Sequence, residues 1–247
     1  MNHPLMLLPG LMCDAAVWVP QVQALGPDVV CVIPAYELRD SVTAMAEQVL
    51  LQAPGAHFCM AGHSMGGRVA LEVMRLAPQR VARLALLDTG THPLADGETG
   101  AKERAGRMAL LELARTQGMR AMASQWARGM VHPEHRDTPV FKSILDMLER
   151  SCPEQFAAQI KALLERPDAA PVLSDIRCPT LVLCGREDAW STPAQHQVMS
   201  SQIPGAALCI VEHCGHMATL EQPQRVSEAL AKWLWAEETA NVQVVKP

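Results

Sequence analysis

Phe58-Cys59-Met60-Ala61-Gly62-His63-Ser64-Met65-Gly66-Gly67 is the stretch on which the fold turns. Phe58–Ala61 is apolar without alternation, which reads as a strand buried on both faces. From Met65 to Leu76 the apolar residues recur at helical spacing. The junction between them is therefore a very tight strand-to-helix turn centred on Ser64. Such a turn strains the backbone of the central residue and projects its hydroxyl. Gly62 and Gly66 flank it where a Cβ would collide across the junction. The free N–H groups and the positive end of the following helix face the same oxygen. Gly-x-Ser-x-Gly occurs by chance in about one chain of this length in twenty, so the weight rests on its placement between strand and helix.

Outward from that turn, short apolar runs alternate with helical patterns. Leu5–Leu8, Val29–Ile33, Leu84–Leu87, Thr180–Cys184 and Ala207–Val211 join Phe58–Ala61 as buried strands. Ser41–Leu51, Ala194–Ser201 and Gln224–Ala236 join Met65–Leu76 as helices, with Ser41 as the N-cap of its helix. This alternation predicts an α/β fold, a mostly parallel open sheet with helices on both faces and right-handed crossovers. One region departs from it. Between His92 and Leu173 the pattern predicts only helices: Lys102–Thr116, Met119–Met130, Thr138–Glu149 and Pro153–Glu165, punctuated by Gly118 and prolines. We read residues 1–91 and 174–247 as the α/β core and 92–173 as an inserted all-helical cap. The cap should lie over the carboxyl ends of the strands, where open sheets bind ligands.

Composition narrows the function classes. The chain has 247 residues, 49% of them apolar, enough for a large core. Its net charge of −5 and lack of basic runs argue against nucleic acid or a membrane surface as partner. No apolar stretch reaches membrane-helix length. Met1–Gly10 lacks a basic n-region and reads as a first strand, not a signal peptide. The eight cysteines include no Cys-x-x-Cys pair and read as buried thiols in a reducing, cytoplasmic setting. A zinc site at His213-Cys214-Gly215-His216 with a distant cysteine fits no common spacing. We therefore expect no metal and no organic cofactor.

A serine nucleophile needs a base, and the base needs an orienting acid. His216 follows the last strand in a loop that Gly215 makes flexible, with His213 as its nearest rival. Asp188 lies just past Thr180–Cys184, at the edge of the sheet that carries Ser64. Its rival is Asp88, at the end of Leu84–Leu87, where a carboxylate also caps turns. His63, adjacent to Ser64, should point away from it. The loop Leu8-Pro9-Gly10-Leu11 offers the Leu11 N–H to a developing oxyanion, alongside that of Met65. From the cap, Trp126, Met122 and Met130 are candidate substrate contacts, against the ordinary use of such residues in helix packing. Arg107 and Arg128 are candidate contacts for a carboxylate.

Together, Leu8-Pro9-Gly10-Leu11 with Trp18, Gly62–Gly67, Gly185-Arg186-Glu187-Asp188, and Gly215-His216 with Glu221 and Pro223 resemble the α/β-hydrolase superfamily. Small cofactor-free esterases and enol-lactone hydrolases are the nearest in kind. The resemblance implies Ser64, Asp188 and His216 as a triad, Leu11 and Met65 as oxyanion donors, and an aliphatic cap. The chain departs from many relatives in carrying Pro9-Gly10 where they have His-Gly. The expected reaction is hydrolysis of a small carboxylic ester, thioester or lactone through an acyl-enzyme on Ser64. C–C hydrolysis or lysis by the same residues, perhydrolysis, and a non-catalytic receptor remain as alternatives. The expected partner is a small-molecule substrate with an apolar part, and the expected assembly a monomer or homodimer.

Overall fold

Strands that are apolar on both sides must be covered on both sides, and the apolar runs pair accordingly. The computed structural model describes residues 3–236. Six strands form one parallel sheet in the order β2-β1-β3-β4-β5-β6. They are β1 (Leu5–Leu8), β2 (Cys31–Val32), β3 (Phe58–His63), β4 (Val81–Leu87), β5 (Thr180–Gly185) and β6 (Ala207–Val211). Every residue of β1, β3 and β5 is buried. The edges are different. β2 is half-buried and pairs only as Leu5 with Cys31 and Met6 with Val32. β6 exposes Ala207 and Leu208.

Helices fill the connections. α1 (Val19–Leu25) follows β1, α2 (Val42–Gln52) precedes β3, and α3 (Met65–Leu76) follows it. The Ser41 side chain caps α2, accepting from the Ala44 N–H at 3.1 Å. The sequence reading missed α1 because Pro20 interrupts its pattern. Pro20 sits in the first turn, where its missing N–H has no helical partner to lose. Every described helix or strand between β4 and β5 is helical: α4 (Gly97–Gln117), α5 (Met119–Trp126), α6 (Pro139–Glu149), α7 (Pro153–Leu164) and the single turn α8 (Ala170–Leu173), with short 3-10 turns between. After β5 come α9 (Pro193–Gln202), the short α10 (Ala218–Glu221) beyond β6, and α11 (Pro223–Trp235). α1 packs on α11 and α2 packs on α3. No described helix is long and apolar enough to cross a membrane.

Two expected helix boundaries moved. α4 begins at Gly97, before the predicted Lys102. The predicted helix Met119–Met130 stops at Trp126 and gives way to a tight turn at Ala127–Gly129. Tertiary contacts override propensity there. The Met130 carbonyl accepts the His216 N–H at 2.6 Å, and a Cβ on Gly129 would lie 3.4 Å from the Trp190 ring. The chain leaves the helix to meet those loops.

The strand order reverses beside β1. The chain runs from β1 out to the edge strand β2, then returns past β1 to β3. The loops after β1 and β3 therefore diverge and open a crevice at the carboxyl ends. Leu8 is in register with Gly62, so the two loops start level. A Cβ on Gly10 would come within 2.9 Å of His63 Nδ1 and 3.2 Å of Ser64 Cβ. Only glycine admits that approach.

His63, the last residue of β3, is 1% exposed. Its Nε2–H donates to the His216 carbonyl at 2.8 Å. Burial, aided by the nearby His216, lowers its pKa from 6.5 to about 4. Unfolded, the ring gains a proton near pH 6.5; folded, it resists until about pH 4. Stability from this group is thus full above pH 6.5 and declines by up to ~3 kcal/mol as pH falls to about 4. Urea unfolding between pH 7 and pH 4.5 should show this decline, and His63→Gln should flatten it. Parallel pH profiles of the two proteins would assign the decline to other groups.

Candidate active site

Ser64 stands at the junction of β3 and α3 with φ 53° and ψ −116°. This is a left-handed, strained backbone that a non-glycine residue holds only when its surroundings impose it. Three hydrogen bonds do so. The Ser64 N–H donates to the Leu87 carbonyl at 2.9 Å, the Ser64 carbonyl accepts from Gly67 N–H at 3.0 Å, and Thr89 Oγ1 donates to the same carbonyl at 2.7 Å. Glycines allow the close packing. A Cβ on Gly62 would strike the Gly66 carbonyl, one on Gly66 would strike the Leu8 carbonyl, and one on Gly67 would lie 2.6 Å from Thr89.

The loop after β6 delivers His216 to Ser64. His216 Nε2 lies 2.8 Å from Ser64 Oγ, and its Nδ1 lies 2.8 Å from Asp188 Oδ2. With Asp188 ionised, Nδ1–H donates to it and leaves Nε2 free to accept the serine proton. The other Asp188 oxygen accepts from the Trp190 and Ser191 N–H groups, each at 2.9 Å. Burial works against ionisation of Asp188, but His216 and those two N–H groups outweigh it and hold its pKa below the usual value.

The rival residues lie elsewhere. Asp88 is fully buried, accepts the Gly185 N–H at 3.0 Å, and lies 3.9 Å from His63, not on His216. Burial and the charge of Asp188 raise its pKa well above the usual value. His213 is exposed, near His132 and Glu134. Those three are the described group whose spacing would suit a metal ion. His213 and Cys214 do not join His216 in such a group.

Glu221, a residue without a role in the sequence reading, holds the His216 loop. Its buried carboxylate accepts from Gly215 at 3.1 Å, Met217 at 3.0 Å and His132 at 2.6 Å. Glu187, at the surface, adds a bond from the Cys214 N–H at 2.9 Å. The signal for Glu221 was its placement five residues after His216, near enough for a carboxylate to fold back on the loop's own N–H groups. Nothing in the sequence pointed to Trp190. Its ring lies 5.1 Å from that of His216 and stacks on Trp126 at 5.6 Å, which reaches Phe156 at 6.1 Å. An aromatic wall thus runs from the core into the helical segment.

A cavity of about 650 Å³ opens above Ser64. Leu11, Met65, Trp126 and Met130 are among the residues that line it. The N–H groups of Leu11 and Met65 have no acceptor among the described residues. Met122 is a correction. It is fully buried and does not line the cavity, because α5 packs between α4 and α6. Arg107 lines the cavity, whereas Arg128 lies over the Phe141 ring.

Known proteins share this arrangement of chain and sequence. The profile described as the Alpha/beta hydrolase family matches residues 5–229. The 3-oxoadipate enol-lactonase 2 of Acinetobacter baylyi is 30% identical over 196 residues, covering 78% of this chain and 68% of its own. The pimeloyl-[acyl-carrier protein] methyl ester esterase of Nitrosomonas europaea is 27% identical over 190 residues, covering 75% and 74%. Among solved structures, a thermophilic esterase from Thermogutta terrifontis superposes with a TM-score of 0.83 at 28% identity, covering 95% of this chain and 90% of its own. The enol-lactonase of Burkholderia xenovorans LB400 shares the fold, with a TM-score of 0.80 at 23% identity over 95% and 92%. With its six-stranded parallel sheet and a family match over most of its length, this chain belongs to the alpha/beta hydrolase family.

Proposed function

We propose that the protein hydrolyses a small carboxylic ester, thioester or lactone through an acyl-enzyme on Ser64. The observation that carries this is the hydrogen-bonded series Ser64 Oγ, His216 and Asp188, with 2.8 Å at each step. Ser64 Oγ attacks the substrate carbonyl while His216 Nε2 takes its proton. Asp188 keeps the imidazole in the right tautomer and stabilises its charged form. The tetrahedral oxyanion rests on the N–H groups of Leu11 and Met65, a donor pair each worth about 3 kcal/mol in the transition state. The intermediate collapses, and the leaving alcohol, thiol or tethered oxygen takes the proton from His216. Water then attacks the acyl group, gives its proton to His216, and releases the acid as Ser64 regains its hydrogen. The only proton in the cycle that these residues do not hold at the start comes from the attacking water. Names of similar proteins point the same way, one to a methyl ester and one to an enol-lactone.

Incubation with a fluorophosphonate should place the adduct on Ser64, read by mass spectrometry of the tryptic peptide. Ser64→Ala should take no label and lose turnover of a p-nitrophenyl ester. Labelling at another residue, or ester turnover that survives Ser64→Ala, would end the proposal. Release of the alcohol separates ester hydrolysis from C–C cleavage.

Asp188→Asn should slow turnover by about 10³- to 10⁴-fold, because the asparagine amide favours the wrong tautomer of His216. Asp88→Asn should cost far less, since that carboxylate does not reach His216. An equal loss in both would move the orienting acid to the end of β4.

A further inference from the structure

One part of the cavity wall holds more positive charge than the protein's own carboxylates neutralise. Arg68 on α3, Lys102 and Arg107 on α4, and Arg166 after α7 line it, with Glu103 as the acid among them. Glu103 is already committed. Arg166 donates to both of its oxygens, at 2.8 and 3.0 Å, and Arg107 Nε donates at 2.9 Å. Arg166 is otherwise satisfied by the carbonyls of His92, Pro93 and Leu163. Arg68 has one bond, from Nη1 to the His92 carbonyl at 2.9 Å, and pairs with no carboxylate among the described residues. Lys102 has no ion-pair partner among them either. Burial, and then the neighbouring Arg166, lower the Arg68 pKa from 12.5 to about 9. A cation held in a partly dry site without a counter-ion is costly, unless the cost is recovered when an anion arrives.

Its position ties this cluster to the chemistry. Arg68 lies one helical turn after Ser64, and its backbone N–H donates to the Ser64 carbonyl at 3.4 Å. Ser64, Arg68 and Lys102 line the same cavity, along with the apolar side chains of Ile160 and Leu163. An acyl chain seated at Ser64 can run along that apolar wall with its far end among the cations.

We propose that Arg68, with Lys102 and Arg107, forms a subsite for a carboxylate carried on the acyl part of the substrate. The ester or lactone cleaved at Ser64 is then a half-ester of a dicarboxylic acid, or the lactone of one that also carries a hydroxyl or enol oxygen. This substrate class rests on Ser64 being the nucleophile; the anion site itself does not. The guanidinium of Arg68 pairs with the carboxylate in its planar fork, while Lys102 and Arg107 add charge.

The test compares p-nitrophenyl half-esters of glutarate, adipate and pimelate with neutral p-nitrophenyl esters of the same carbon number. In at least one pair, kcat/KM should favour the half-ester by about tenfold or more, the size expected of a charge-assisted pair. Arg68→Gln should bring that ratio down by about tenfold, and the exposed Lys102→Gln should also lower it. A ratio at or below one in every pair, or a preference that survives both substitutions, overturns the assignment. Binding is read separately in the Ser64→Ala protein. Free dicarboxylates should raise its Tm, and adding Arg68→Gln should abolish the rise. A rise with inorganic phosphate but none with any dicarboxylate overturns the carboxylate reading in favour of a phosphate site. A dicarboxylate-induced rise in a protein whose ester turnover does not depend on Ser64 leaves the anion site standing and removes the nucleophile.

Discussion

The strained backbone at Ser64 is the constraint around which the rest is arranged. A φ of 53° on a non-glycine residue costs on the order of 1–3 kcal/mol and persists only where the surroundings fix it. The surroundings here are backbone atoms around Gly62 and Gly66, and the side chains of His63 and Thr89. Gly62 faces Gly66, Gly66 faces the Leu8 carbonyl, and Gly10 faces His63 and Ser64. Three segments, the loop after β1, the end of β3 and the start of α3, meet at distances that exclude even a methyl group. The buried strands β1 and β3 hold that meeting in place, so sheet packing is what keeps the serine hydroxyl presented.

The opposite side of the site depends on the helical segment between β4 and β5 as much as on the sheet. Gly215 packs where a Cβ would lie 2.6 Å from the Met130 carbonyl, and that carbonyl accepts the His216 N–H. Glu221 bonds to N–H groups of the His216 loop and of His132 at once. Met12, in the loop after β1, donates its N–H to Gln159 of α7 at 2.8 Å. The segment over the site is therefore anchored to both loops that flank Ser64. His216 sits where it does partly because of residues far from it in sequence.

This explains what was legible in the sequence and what was not. β1, α3 and β6 matched their predicted limits because their periodicity is local and their boundaries are set by glycine, serine and proline chemistry. The meeting of Ser64, Asp188 and His216 was legible because each follows a strand at the same edge of the sheet. The end of α5 was not: the chain leaves the helix three residues before Gly129, where Gly129 meets Trp190 and Met130 meets Gly215. Met122 and Trp126 lie four residues apart on one short helix. Which of them meets the cavity depends on where α4 and α6 press against α5, a fact of packing. Arg68 was passed over because an arginine at the second turn of a helix reads as solvated until the loop at His92 is seen folded over it.

The two buried aspartates show how environment divides labour between identical side chains. Both end at the carboxyl edge of adjacent strands, and both are almost wholly buried. Asp188 has His216 and two backbone N–H groups to stabilise its charge, so its pKa falls despite burial. At Asp88 burial and the repulsion of Asp188 outweigh the bond from the Gly185 N–H, so its pKa rises. Neighbouring carboxyl groups in a dry interior are pushed apart in pKa by their environments. Burial and the nearby His216 hold the His63 pKa down to about 4, with the Asp88 carboxyl 3.9 Å away. The carboxylate at this edge that reaches His216 is Asp188, 2.8 Å from its Nδ1, while Asp88 lies on the side of His63.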